Sequence, residues 1–194
     1  LAVSILLTPV LIKVFSRQGF GQEIRVEGPA SHQAKRGTPT MGGIVIILAT
    51  VVGYFAAKLI TGQTPSASAL LLLFLFGGMG LVGFLDDFIK ISRQRNLGLR
   101  SRAKMIGQTV VAVVFGLLAI SPWLEDERGQ SPASRHLSFL RDLESWTIPT
   151  VLVIILIWVI VVGTSNGVNL TDGLDGLATG ASAMVFAAYT VVNI

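Results

Sequence analysis

The 194-residue chain contains no cysteine, which excludes a disulfide framework and any thiolate metal site. Charge is scarce: 13% of residues are Asp, Glu, Lys or Arg, against roughly 25% in a typical soluble domain. The alternating hydrophobicity of an outer-membrane barrel is missing. Leu1 to Phe15 also lacks a basic leader and a small-residue cleavage site, so it is not read as a signal peptide. What fills the chain instead is apolar sequence, 52% hydrophobic with a mean hydropathy of +0.70. These values predict an integral membrane protein. The net charge of +4 then reads as cytoplasmic loop bias, not as a nucleic-acid surface. The chain opens on Leu1 inside one apolar run and closes on Ile194 inside another, so truncation at both ends is expected.

Six apolar segments stand out, near 1–15, 43–60, 68–85, 105–124, 147–163 and 177–194. A spanning helix needs about 20 apolar residues, with a range near 17–25. The first and last segments fall short of that or barely reach it. Backbone groups in hydrocarbon must be satisfied within their own segment, which demands helices. The expected fold class is therefore all-α: one transmembrane domain, a polytopic helix bundle.

Sidedness follows from the basic residues. The loops at about 16–42, 86–104 and 164–176, with the segment ends that border them, carry Lys13, Arg17, Arg25, Lys35, Arg36, Lys90, Arg93, Arg95, Arg100, Arg102 and Lys104. The opposite side has Lys58, Arg128, Arg135 and Arg141. The positive-inside rule assigns the first group to the cytoplasm. The segment 125–146 is then external and reads as a solvated loop with at most a short interfacial turn. The six acids outside that segment, Glu23, Glu27, Asp86, Asp87, Asp172 and Asp175, fall on the same cytoplasmic side. A face that gathers both signs of charge from three loops has the composition of a site for an anionic cytosolic ligand. Contact with membrane lipids is implied throughout.

Three constellations could carry chemistry. Ser31 to Gly43 offers Lys35 and Arg36 as cations and Thr38 and Thr40 as hydroxyls, with Pro39, Gly42 and Gly43 turning the chain into the second apolar segment. Amides at that helix start could meet a phosphate. Taken alone, the stretch also reads as an ordinary basic loop. Asp86-Asp87 closes the third segment. A helix C-terminus disfavours acids, and adjacent like charges should push one carboxyl pKa upward. So costly a placement suggests a general base, metal coordination or both. The cations from Lys90 to Lys104 suit a phosphate clamp or anionic headgroups equally well. The third constellation is Asn169-Leu170-Thr171-Asp172-Gly173-Leu174-Asp175-Gly176. Asn169, Asp172 and Asp175 recur every three residues and would share one side of a helical turn. An EF-hand is excluded, because position twelve counted from Asp172 is Ala183 rather than Glu.

Together, Gly37 to Gly43, Asp86-Asp87 and Asn169 to Ala178 resemble the phospho-N-acetylmuramoyl-pentapeptide transferase family, within the polyprenyl-phosphate sugar-1-phosphate transferases. Order and spacing match over essentially the whole chain. The Thr38-to-Gly43 element is the most specific to that branch. Gly167 departs in detail, since Ala is expected there.

The resemblance implies a fold of about ten spans, of which six are readable here. It implies transfer of phospho-N-acetylmuramoyl-pentapeptide from its UDP donor to undecaprenyl phosphate, giving lipid I and UMP in the bacterial cytoplasmic membrane. Mg²⁺ is the implied cofactor, and a homodimer is compatible with the resemblance. Carried over by position, Asp86 is the implied catalytic base, with a covalent aspartyl-phosphate role as the other option, and Asp87 supports it. Lys35, Thr40, Asn169, Asp172, Gly173 and Asp175 would line the nucleotide pocket, with Asp175 near uracil. Lys90, Arg102 and Lys104 would face phosphates. Asp86 and Asp87 are candidate metal contacts, the main Mg²⁺ ligand being expected beyond Ile194. The isolated chain is therefore expected to be inactive.

Two other readings stand beside this one. The first is a transferase using UDP-N-acetylglucosamine. The second, of another class, is a transporter with a cation site. Transport sites usually lie near the bilayer midplane. The six segments lack a central acid, and Gln108 is the polar residue noted within them.

Overall fold

A computed structural model of the chain describes residues 2–17, 41–93, 98–126, 129–138, 142–172 and 176–192. In order, the elements are α1 (Ala2–Arg17), α2 (Gly43–Thr61), α3 (Ala67–Ser92), α4 (Ser101–Ala119), a 3-10 turn (Pro122–Leu124), β1 (His136–Ser138), β2 (Asp142–Thr147), α5 (Thr150–Thr171) and α6 (Leu177–Val192). Helices α2, α3, α4 and α5 are long and apolar enough to cross a membrane. Helices α1 and α6, at 16 residues each, are shorter. The chain is thus an all-α, multi-pass membrane protein.

Helices run past their apolar segments at the charged end. Helix α3 has 26 residues, about 39 Å at 1.5 Å per residue, against roughly 30 Å of hydrocarbon. Its last two turns, from Asp86, therefore project beyond the apolar stretch that ends at Leu85. Helix α5 likewise continues through Ser165, Asn166 and Asn169 to Thr171, where a loop from 164 was expected. Side chains supply the reason: Ser165 and Asn166 are bonded to α4, and Thr171 Oγ1 donates to the Gly167 carbonyl at 2.6 Å.

The segment 125–146 also differs from expectation. It contains the antiparallel pair β1–β2, with an irregularity between His136 and Leu137. Backbone bonds anchor this hairpin. Ala133 N–H donates to Ala119 O, and Ile148 N–H donates to Arg135 O, both at 2.8 Å. Trp123 and Trp146 near it are 88% and 65% exposed. That suits anchoring at a membrane–water boundary.

Each helix packs on its neighbour in sequence, most extensively α4 on α3 and α5. Little is buried, and large apolar side chains are exposed all along α2, α3 and α5. Lipid is as apolar as Leu, so helices gain little by hiding such residues from it. Close backbone approach through small residues takes over. On α4 the buried positions are Gln108, Ala112, Gly116 and Ala119, one stripe at helical spacing. Ile154 and Ile157 of α5 pack over Gly116. On α3, a Cβ at Gly78 would lie 2.9 Å from Val111 Cγ1 of α4, whereas a Cβ at Gly77 would meet nothing within 4 Å.

These glycines give a paired test. Gly78→Leu is expected to destabilise the protein in detergent by about 1–3 kcal/mol, the usual cost of overpacking. Gly77→Leu is expected to be near neutral. Equal melting temperatures for the two variants would contradict this packing.

Candidate active site

The charged end of α3 carries the most tightly organised polar group in the structure. Lys90 Nζ lies 2.7 Å from Asp86 Oδ2 and 2.9 Å from Asp87 Oδ1, so one ammonium bridges both carboxylates. The spacings are i,i+4 and i,i+3, which bring side chains together on one helical face. The other Asp86 oxygen, Oδ1, accepts the Leu99 backbone N–H at 2.8 Å. That donor lies just before α4. Asp86 is the enclosed member of the pair, its side chain 13% exposed against 39% for Asp87.

Gly98 makes the Leu99 contact feasible. A Cβ there would stand 2.6 Å from the Asp86 carbonyl oxygen and 2.8 Å from its carboxyl carbon, and would also collide with Oδ1. Sequence reasoning overlooked Gly98 and Leu99. The available signal was a glycine placed between a run of cations and the next helix.

Asp86 does not titrate upward as adjacent acids alone would suggest. Burial pushes its carboxyl up. The Lys90 and Leu99 hydrogen bonds, with the charges of Lys90 and Lys104, outweigh burial and hold it below the ordinary value of 3.8. Lys90 responds in the opposite sense. Burial lowers its ammonium pKa, but its bonds and attraction to Asp86 and Asp87 raise it above 10.5. Charge compensation by one cation thus replaces the mutual repulsion of the pair.

Asp86 and Asp87 border a cavity of about 260 Å³. Met41 and α2 residues Gly43, Ile44 and Ile47 form one wall. Gly80, Gly83 and Phe84 of α3 form another, and Lys104 of α4 and Asn169 of α5 complete it. Four helices thus contribute at one end of the bundle. The polar lining gathers where Asp86, Asp87, Lys104 and Asn169 meet. Residues down to Gly80, two turns before Asp87, supply an apolar wall. Met41, buried, holds a left-handed φ of 66°, a conformation costly for a non-glycine residue.

Of the sequence-derived candidates, Asp86, Asp87, Lys104 and Asn169 come together on this cavity. Lys90 bridges the two carboxylates and is not among the lining residues. Arg102 sits exposed in the first turn of α4. Asp172 caps α5, exposed, with its N–H donating to Val168 O at 3.0 Å. Lys35, Thr40, Gly173 and Asp175 lie outside the described residues.

Residues 66–194 match glycosyl transferase family 4. The chain belongs to that family. Residues 35–47 match phospho-N-acetylmuramoyl-pentapeptide-transferase signature 1, and Met41, Gly43, Ile44 and Ile47 of the cavity wall fall within that match. A phospho-N-acetylmuramoyl-pentapeptide-transferase of a Nocardioides species is 73% identical over all of this chain and 53% of its own length. The protein of that name from Streptomyces avermitilis is 57% identical over 96% of this chain and 52% of its own length. A third, from Frankia casuarinae, is 55% identical over the whole chain and 54% of its own length. The chain spans about half the length of the curated relatives it matches.

For this family 4 chain, the Asp86 environment gives a test with a fixed sign. Its lowered pKa contributes stability that is present above the ordinary value and is lost as pH falls through the folded pKa. Lys90→Met and Gly98→Ala each weaken a contact that lowers it. Both are expected to raise the Asp86 pKa in a carboxyl-carbon NMR titration and to move acid unfolding to higher pH. An unchanged Asp86 titration in both variants would contradict the assigned causes.

Proposed function

We propose that the protein transfers phospho-N-acetylmuramoyl-pentapeptide from its UDP-linked donor to undecaprenyl phosphate, forming lipid I and releasing UMP. The observation that carries this reading is the two-natured cavity. Its acids and Lys104 sit at the charged end of the bundle, beside an apolar wall of α2 and α3. A phosphate on a lipid tail needs both environments at once. The relatives' names and signature 1 support the same donor.

In the reaction, a lipid phosphate oxygen attacks the phosphorus that bears the sugar. The bond from that phosphorus to the bridging oxygen breaks, and the electron pair leaves with UMP. Phosphoryl transfer relies mainly on positioning and charge neutralisation. Asp86 acts as base for any proton remaining on the lipid phosphate, already ionised before the substrate arrives. Both of its oxygens are engaged, by Lys90 and by Leu99 N–H. Lys104 and Asn169 contact the donor, with Asp172 beside them. Lys90 acts through the carboxylates it bridges, and Arg102, exposed on the first turn of α4, attracts phosphate.

Mg²⁺ is the proposed cofactor. Among the described residues no group of three acids or histidines could hold a metal by itself. The oxygen donors present on the cavity, Asp86, Asp87 and Asn169, would suit a hard cation of the kind that one or two carboxylates hold together with waters and substrate phosphates. Bound there, such an ion would supply charge neutralisation at the donor's pyrophosphate. The active end faces the cytoplasm by the positive-inside rule, in a bacterial cell membrane. The runner-up donor, UDP-N-acetylglucosamine, is disfavoured by signature 1. A cation transporter is disfavoured because the cavity acids lie at one end of the bundle.

The test joins this chain to the remaining half of the Nocardioides relative and measures UMP release with both substrates. Turnover requiring Mg²⁺ is expected, with a loss of about 100-fold or more in Asp86→Asn, the scale of a general base. This chain alone is expected to release none. Full turnover by Asp86→Asn would overturn the role of Asp86. Ion flux without UMP release would overturn the reaction.

A further inference from the structure

Gln108 is 1% exposed, the largest fully buried side chain among the described residues, and it lies in a helix that crosses the membrane. A buried carboxamide in such a place is costly unless its donor and acceptor are both satisfied. Here α5 satisfies both. Gln108 Nε2 donates to Ser165 Oγ at 3.0 Å, and Asn166 Nδ2 donates to Gln108 Oε1 at 2.9 Å. Asn166 is held in turn by its own helix, donating to Val162 O at 2.9 Å.

The position of this clasp matters more than its strength. One helical turn from Gln108 toward the charged end of α4 is Lys104. One turn from Ser165 toward the same end of α5 is Asn169. Lys104 and Asn169 are the residues that α4 and α5 contribute to the cavity. The other buried positions of α4 are Ala112, Gly116 and Ala119, whose small side chains by themselves allow sliding and rotation. A forked carboxamide bonded to two consecutive residues does not.

We infer that Gln108 is a positioning residue that locks α4 and α5 in register, so that Lys104 and Asn169 meet across the cavity. The inference rests on the transfer reaction proposed above for its kinetic consequence, but not for its structural one. A second interhelical bond provides the control. Trp158 Nε1 donates to Thr109 Oγ1 at 3.0 Å across the same two helices. On α5 it lies about two turns farther from the cavity than Ser165.

The experiment uses the chain joined to the remaining half of the Nocardioides relative, and compares Gln108→Leu with Thr109→Val. Gln108→Leu is expected to raise KM for the UDP-linked donor about tenfold or more, because small misplacements at a reacting site are costly. Thr109→Val is expected to leave KM unchanged while lowering the melting temperature by a similar amount. A KM that is unchanged in Gln108→Leu, or equally raised in Thr109→Val, would overturn the inference.

Register is also read without turnover. This chain has no cysteine, and any in the joined half is replaced by serine. Spin labels then go on Ser101→Cys and Leu170→Cys, both exposed. Gln108→Leu is expected to shift or broaden the distance between the labels, whereas Thr109→Val keeps it. An unmoved distance in Gln108→Leu would overturn the inference. Absence of UMP release from the otherwise unaltered joined protein would overturn the proposed reaction alone, with the distance measurement still deciding the role of Gln108.

Discussion

The constraint on which the rest of this structure depends is that its solvent is hydrocarbon. Backbone polar groups there must be satisfied within a helix, and apolar side chains gain little by facing one another instead of lipid. The bundle therefore coheres through close backbone approach and a few polar bonds. The Gly78–Val111 contact, the stripe from Gln108 to Ala119, and the Trp158–Thr109 and Gln108–Ser165–Asn166 bonds all connect α4 to its neighbours. Helix α4 is the element against which α3 and α5 take their positions.

The same solvent drives charge to one end. Beyond the apolar run of α3, two carboxylates and one lysine form a compact group that a Leu99 amide completes. That arrangement turns adjacent like charges from a liability into a preorganised acceptor. The helix dipole opposes acids at a C-terminus. Lys90, one turn on, offsets both the dipole and the repulsion. The cavity opens alongside this group, so its polar lining is organised before any ligand arrives. The proposed reaction would use both environments, the charged end for a phosphate and the wall of α2 and α3 for a lipid tail.

Much of the architecture is legible from residue order. Apolar segment length predicts the helices because hydrocarbon thickness sets it. The expected span of 43–60 corresponds to a helix at Gly43–Thr61. Boundaries at the charged end are less legible. Hydropathy stops at Leu85 and Gly163, yet α3 and α5 continue, because hydrogen bonds rather than hydrophobicity hold those last turns. The β1–β2 pair escaped a reading that saw a polar segment. It forms because its ends are tied to Ala119 and Ile148 by backbone bonds. Within the site, Asp86, Asp87, Lys104 and Asn169 were legible as residue types placed against their local cost. Gly98 and Met41 were not, since their roles lie in backbone geometry.

By itself, the order of residues determined that this chain is a membrane-embedded helical protein of a recognisable transferase family, with acids and cations gathered at one edge. Hydropathy and motif spacing are properties of the chain, and they survive without coordinates. Only the tertiary structure decided which charges cooperate. It brought the Leu99 amide and Lys104 to Asp86, helped to lower that carboxyl where repulsion alone would raise it, and assigned Gln108 to the register of two helices. Those outcomes depend on distances of 3 Å or less between residues as far apart as Gln108 and Ser165. Electrostatic and hydrogen-bond energies fall off too steeply with distance and angle to be read from order alone.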